Sequence, residues 1–203
     1  MFSWARFLSS GEDGVVLPSV YFSSLPVLDT TRLVLRPVRR RDAPDIFSYA
    51  SDPEVSRFVL WEPHRSLSET RSYIRYVRAL YHRGMPSSWA VVLRETGRVV
   101  GTIGFMWYSD VNGSAEVGYS LSRDVWNRGY ATEALRAVIS SAFASLPLNR
   151  LEAQHDVRNP ASGRVMEKCG MKREGTLRQR IKNKGEYVDV VLWSLLRAEL
   201  ENK

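Results

Sequence analysis

Trp126-Asn127-Arg128-Gly129-Tyr130-Ala131-Thr132-Glu133-Ala134 is the stretch whose reading decides the fold. Before it, Ala115–Leu121 reads as a strand. After it, Ala131, Leu135, Val138, Ile139 and Ala142 recur at i, i+4, i+7, i+8 and i+11, one face of a helix. The order is therefore strand, short polar turn, helix. Gly129 and Ala131 are small and let a ligand approach the backbone. The first N–H groups of a helix lack intrahelical acceptors and carry the positive end of its dipole. Such a turn is either an ordinary connection or a pyrophosphate cradle, and these residues alone do not choose.

The elements around it set the class. Leu33–Val38 reads as the first strand. Asp42 is a helix N-cap candidate, with Asp45 in the first turn. Ser51-Asp52-Pro53 ends that helix, because the residue before proline avoids the α region. A short helix is expected over 53–57, and Trp61-Glu62-Pro63 opens a loop. A longer helix runs from Ser68 to about His82, capped by Ser66 or Ser68, with Tyr73, Ile74, Val77, Leu80 and Tyr81 on its apolar face. Arg71, Arg75, Arg78 and His82 form a basic stripe on that helix, either a solvated face or one meeting an acidic acceptor or RNA. Strands follow at Trp89–Leu93 and Val99–Trp107, joined by a turn at 95–98, and a turn at Ser109–Gly113 leads into 115–121. Beyond the helix at about 129–145, a strand is expected at Leu148–His155 and a helix at Pro160–Cys169. Asn159 suits the N-cap, Pro160 the first helical position and Gly170 the C′ position. Met171–Ile181 and Glu186–Leu195 form a terminal hairpin through Asn183-Lys184-Gly185. The sum is an α/β (α+β) chain: a mixed, mostly antiparallel twisted sheet of about seven strands with helices on both faces.

At 203 residues, with 44% hydrophobic and 25% charged side chains, the composition suits one globular domain. A single cysteine allows no intramolecular disulfide and fits a reducing, cytoplasmic setting. The three histidines and the cysteine show no metal-ligand spacing, so no metal is expected. No apolar run is long enough for a membrane span. Lys and Arg outnumber Asp and Glu by 29 to 22, a formal +7, which steers acidic partners without naming one. Residues 1–28 differ from the rest and read as an N-terminal arm before a domain at 29–203. Polar residues interrupt the arm too often for a secretory leader. Its aromatics, Phe2, Trp4, Phe7, Tyr21 and Phe22, suit either a partly ordered tail or an arm docked on its own domain or a second subunit.

Gly129-Tyr130-Ala131-Thr132-Glu133-Ala134 resembles the acetyl-CoA motif of the GNAT superfamily of N-acetyltransferases. In that family the turn reads Gln/Arg-x-x-Gly-x-Gly/Ala and holds the coenzyme pyrophosphate through backbone N–H groups; Trp126 stands here in the Gln/Arg position. Asn159-Pro160-Ala161-Ser162, Glu167–Met171 and Glu174–Leu177 resemble a second motif of the RimJ/RimL-like branch, which acetylates N-termini of ribosomal proteins. Thr31–Pro37 resembles the start of that domain. The resemblance covers about residues 29–196 and implies direct acetyl transfer from acetyl-CoA, used as a cosubstrate, to an amine in a ternary complex.

Three tasks follow from that implied reaction, and each has a candidate. The amine must lose its proton: Glu116, mid-strand before the motif, is the candidate general base, against an ordinary salt-bridged strand residue. The oxyanion needs donors: the backbone around Tyr119, Ser120 and Leu121 is implied, where the family's strand splays and Gly118 permits distortion. The thiolate needs a proton or donor: Ser162 is implied, with Asn159 holding the pantetheine amide. Arg128, Gly129, Tyr130, Ala131 and Thr132 complete the implied coenzyme site. Some relatives carry an acid in the last hairpin where this chain has Arg180 or Ile181; Tyr187 is a substitute acid or simply a strand aromatic. Cys169 reads as packing rather than as a nucleophile.

The acceptor expected is the N-terminal α-amine of a protein, which needs less deprotonation than lysine. Ribosome association and a monomer or homodimer go with that expectation. A small amine, such as a polyamine, aminoglycoside or amino acid, is the alternative acceptor. A non-catalytic coenzyme-binding module that docks RNA or protein is the alternative of another class.

Overall fold

The computed structural model describes residues 15–201. Along them run α1 (Pro18–Ser23), β1 (Leu28–Asp29), β2 (Leu33–Pro37), α2 (Ala43–Ala50), α3 (Pro53–Ser56), α4 (Leu67–His82), β3 (Ser88–Leu93), β4 (Val99–Ser109), β5 (Ser114–Leu121), α5 (Tyr130–Ser145), β6 (Arg150–Asp156), α6 (Pro160–Lys168), β7 (Lys172–Asn183), β8 (Glu186–Leu196) and α7 (Arg197–Glu201). Eight strands form one sheet in the order β1-β2-β3-β4-β5-β6-β8-β7. Only β5 and β6 pair in parallel; the other neighbours are antiparallel. The strand missed in the expected seven is β1, a two-residue piece paired with Leu35 and Val34. Two residues are too few for any periodicity to reveal.

Helices α2 to α6 form where the sequence places them, whereas α1 and α7, of six and five residues, were not expected. In α5, Leu135, Val138, Ile139 and Ala142 are buried, and Ala131 packs partly against the core. Ser66 accepts from the Glu69 N–H to start α4, and Asn159 accepts from the Ser162 N–H to start α6. Gly170 follows α6 with φ +86°, the left-handed conformation of a C′ residue. Asp42 differs from expectation. Its carboxylate does not cap α2. It binds the Arg36 guanidinium through both oxygens, at 2.7 and 2.8 Å, and accepts from the Arg39 N–H. Both charges are nearly buried, so the pair outweighs a cap that water can replace. Asp45 likewise reaches out of its helix to the Val99 N–H at 2.8 Å. The strand expected from Leu148 begins at Arg150, because Leu146 and Leu148 are fully buried in the preceding loop.

Residues 15–28 of the arm pack on this domain. Tyr21, Phe22 and Leu25 are buried. The Phe22 ring lies 5.4 Å from Phe105 and 5.6 Å from Tyr108, edge to face. The Tyr21 hydroxyl hydrogen-bonds Ser141 at 2.8 Å, and burial still pushes it up to about 12. Val16 N–H donates to the Ser145 carbonyl. Phe2, Trp4 and Phe7 lie outside the described residues.

The feature that makes a site is a split in the sheet. β5 stays paired with β4 from Ser114 to Leu121. It pairs with β6 only over Ser114–Glu116, opposite Arg150–Glu152. Beyond Glu152, β6 continues with β8 to Asp156. A gap therefore opens between β5 and β6 just past Glu116.

Candidate active site

Backbone alternation decides which β5 groups face the gap. Ser122 N–H donates to Val100 O at 2.7 Å. In an antiparallel ladder, alternate residues bond the same neighbour. With Thr102 opposite Ser120 and Gly104 opposite Gly118, the Ser120 and Gly118 N–H groups point at β4. Those of Val117, Tyr119 and Leu121 point into the gap. This corrects the expectation for Ser120: its amide belongs to the ladder, and the residue reaches the cavity beside the gap as part of its lining. Leu121 is buried, and its carbonyl accepts from Trp126 Nε1 at 2.7 Å. Trp126 thus closes the turn through its indole N–H.

That turn needs left-handed backbone twice, at Asn127 (φ 60°) and Gly129 (φ 80°). Gly129 is required for its conformation as well as for its size. The start of α5 is then tied to the β1–β2 loop. Glu133 accepts from Thr30 Oγ1 at 2.6 Å, from Arg32 N–H at 2.8 Å and from Arg32 Nε at 2.7 Å. Burial would raise the Glu133 carboxyl, but these hydrogen bonds outweigh it and hold the group below its usual value. Arg32 also donates to the Arg128 carbonyl and covers the Tyr130 ring at 4.3 Å. Gly129 and Thr132 line an open cleft together with Arg32, Arg136 and Lys168. Arg128 is exposed, while Tyr130 and Ala131 pack against the core. Thr30 and Glu133 are contributors that sequence reasoning missed; a Thr-Arg pair a hundred residues from its glutamate leaves no local signal.

The second space is a cavity of about 620 Å³ beside the β5–β6 gap, lined by Glu116, Tyr119, Ser120, Asn159 and Ser162 among others. Five of the candidate residues thus meet at one cavity, whereas Arg128–Thr132 stand apart from it. Glu116 accepts from Trp107 Nε1 at 2.8 Å through one oxygen and from Gln154 Nε2 at 3.0 Å through the other. Among the described residues it is an oriented carboxylate with no basic partner, not a strand salt bridge. Trp107 lies opposite Glu116 across the β4–β5 hairpin, a pairing that the turn at Ser109–Gly113 makes legible. Gln154 arrives from β6, and no local pattern announces it.

The Ser162 N–H bonds back to Asn159 Oδ1 in the first turn of α6, while its hydroxyl meets the Tyr119 hydroxyl at 2.9 Å, and Tyr119 donates to the Ser162 carbonyl. Burial raises the Tyr119 hydroxyl well above its ordinary value, so it remains a proton donor at neutral pH. α6 lies close on β6 because Gly163 is bare. A Cβ there would stand 2.7 Å from the His155 ring. Gly118 plays a related part. The β4–β5 register shifts between Phe105 and Trp107, leaving Met106 as an extra residue. A Cβ on Gly118 would come within 3.0 Å of Met106 Sδ.

Other candidates fall outside. Tyr187 is 65% exposed, stacks with Lys182 and lines neither space, so it is a strand aromatic and not a substitute acid. Ile181 lines the cavity; Arg180 is exposed in a bulge of β7. Cys169 donates to the Thr132 carbonyl, and burial pushes its thiol up to about 11, which keeps it protonated. Arg71, Arg75 and Arg78 do not line the cavity.

Comparison with known proteins now adds to this geometry. The profile of the acetyltransferase (GNAT) domain matches residues 32–172. The chain belongs to the GNAT acetyltransferase family. An uncharacterized N-acetyltransferase of Bacillus licheniformis, p20, is 37% identical over 175 residues, covering 86% of this chain and 98% of that protein. A GNAT-family acetyltransferase structure from Bacillus anthracis superposes with a TM-score of 0.76 at 27% identity, covering 84% of this chain and 98% of that one. A Vibrio cholerae structure, provisionally named a ribosomal-protein-serine acetyltransferase, gives a TM-score of 0.75 at 26% identity over 85% and 98%. This GNAT chain is therefore an acyltransferase, which sets aside the non-catalytic docking module, and the family's acetyl donor is acetyl-CoA. Its own donor set suits that ligand: unpaired amides along β5 for an extended amide chain, and a left-handed turn at the α5 N-terminus flanked by Arg32, Arg136 and Lys168 for phosphates.

Proposed function

We propose that this enzyme acetylates the N-terminal α-amine of a protein, in the manner of the RimJ/RimL-like branch, by direct attack within a ternary complex. The observation that carries the reading is Glu116: a carboxylate aimed into the cavity at the mouth of the split, held by two neutral donors. Such a group accepts a proton from an amine, directly or through one water. An α-amine, with a pKa near 8 against about 10.4 for lysine, suits a single carboxylate. The acetyl group comes from acetyl-CoA. The Tyr119 and Leu121 N–H groups, facing the gap, hydrogen-bond the acetyl oxygen as charge develops on it. Tyr119 turns its one proton from the Ser162 carbonyl to Ser162 Oγ, and Ser162 donates its own toward the departing sulfur. Asn159 divides its roles, with its side-chain oxygen capping α6 and its amide nitrogen turned to the pantetheine chain. The first-turn amides from Arg128 to Thr132 hold the pyrophosphate, with Arg32 and Glu133 fixing their orientation. The Vibrio cholerae relative, by its name, supports a ribosomal protein as the acceptor.

The test uses the purified chain, acetyl-CoA and two forms of one peptide, with a free and a formylated N-terminus, with spermidine in parallel. Mass spectrometry showing acetylation only of the free α-amine supports the reading. Turnover of spermidine alone, or of lysine side chains in the blocked peptide, overturns it.

A further inference from the structure

The wall of the acceptor cavity is apolar to an extent that its one free carboxylate makes informative. Four large apolar side chains on its rim stand open to solvent: Leu60 (61% exposed), Tyr76 (63%), Met85 (46%) and Met106 (61%). Soluble chains leave single apolar residues exposed without consequence, but a cluster around one concavity marks a contact surface. They come from three separate parts of the chain: the loop after α3, α4 with the turn that follows it, and the bulge of β4. Met106 is placed there by construction, since the bulge pushes it out and Gly118 leaves the room its sulfur occupies. Behind the rim, Phe58 and Trp61 continue the apolar wall inward.

The charges on that wall are few. Among the described residues no lysine or arginine lines it, and its two carboxylates are Glu116 and Asp156. Asp156 is occupied by the Arg158 guanidinium at 2.9 and 2.7 Å and by the Arg158 N–H. His64 stays neutral more readily than an ordinary histidine, because burial lowers it despite Glu69, and it hydrogen-bonds Thr70 at 2.8 Å. At Ile181 the wall is aliphatic. Among the described residues one carboxylate is left to meet one amine, and no second carboxylate is free to meet another cation.

We infer that the acceptor is a primary amine borne next to a large apolar group: a polypeptide whose first residue is Phe, Leu, Met or similar, with that side chain seated among Leu60, Trp61, Tyr76, Met85 and Met106. The peptide part of this statement rests on the function proposed above; the apolar part rests on the cavity wall alone. One methylene gained or lost in an apolar pocket is worth about 10- to 200-fold in discrimination.

The experiment measures kcat/KM by thiol release, with acetyl-CoA and hexapeptides identical except for a first residue of Phe, Leu, Met, Ser or Asp, alongside phenethylamine and spermidine. Apolar first residues favoured by about 10-fold or more over Ser and Asp is the expected result. Leu60→Glu and Met106→Glu, both at exposed positions, should each lose that preference, with acetyl-CoA affinity unchanged. Equal rates for all peptides, or faster Ser and Asp peptides, overturn the inference and leave the peptide reading standing. Phenethylamine turned over with no peptide acetylated supports the apolar acceptor and overturns the peptide reading. Spermidine alone, or no acetylation by a chain that binds acetyl-CoA, overturns both.

Discussion

In a Glu116→Gln chain the side chain keeps its length and its place between Trp107 and Gln154, but one of its two acceptor oxygens becomes a donor. Trp107 Nε1 stands 2.8 Å from one oxygen and Gln154 Nε2 3.0 Å from the other. The indole can only donate, so the new amide oxygen turns to Trp107. Gln154 can reverse its own amide and offer its oxygen to the new N–H. The structural loss is then at most one re-formed hydrogen bond, about 0.5–1.5 kcal/mol. The kinetic loss is larger, because an amide cannot take the proton of the amine. Removing a general base costs about 10²–10⁴ in rate, or about 2.7–5.4 kcal/mol of barrier. The assay is kcat/KM by thiol release, with acetyl-CoA affinity by calorimetry and stability by urea unfolding on the same preparation. The expected pattern is a rate down by at least 10², an unchanged coenzyme Kd and a small shift in the urea midpoint. A variant within about threefold of the parent rate, folded and binding acetyl-CoA, would refute the role given to Glu116.

Three further outcomes are expected. Gly129→Glu puts a Cβ-bearing, charged residue at φ 80° beside Arg32, and should cost about 1–3 kcal/mol of strain and weaken acetyl-CoA by more than 10-fold in calorimetry. Asp42→Ala leaves the Arg36 guanidinium buried without its partner, and the urea midpoint should report a loss of about 3–5 kcal/mol. Arg150, chiefly, and Ser194 hold the Glu174 carboxyl down to about 2 in the folded chain. Being lowered by folding, this group stabilises fully above its unfolded value of 4.5 and progressively less as pH falls from there toward 2. Glu174→Gln should therefore lower the melting temperature at pH 7, where the carboxylate contributes in full, and converge on the parent as pH falls toward 2, so that its stability falls less over that acid range.

How much the chain revealed in advance differs from element to element. α6 was legible because Asn159, Pro160 and Gly170 are local signals, each acting within a turn or two. α5 was legible because its buried stripe repeats at the helical period. Glu116 drew attention as a carboxylate within a strand, and its Trp107 partner, nine residues away, follows from the hairpin register. Asp42 shows the limit of local reading. It sits where a cap belongs, yet a guanidinium six residues earlier has the stronger claim on it once both are buried.

The amino-acid sequence by itself determined the order of β2 to β8 and of α2 to α6, the turn that opens α5 and the family, because these depend on period, capping and short motifs. Tertiary structure alone decided three things. It separated β5 from β6 past Glu116, which frees the Tyr119 and Leu121 amides and returns the Ser120 amide to the ladder. It joined Ser162 to Tyr119, and Thr30 and Arg32 to Glu133, across 43, 103 and 101 residues. It gathered Leu60, Tyr76, Met85 and Met106 around one opening. The physical reason is the same in each case: these are contacts between side chains or strand edges far apart in the chain, and their geometry exists only after the sheet has closed on its core.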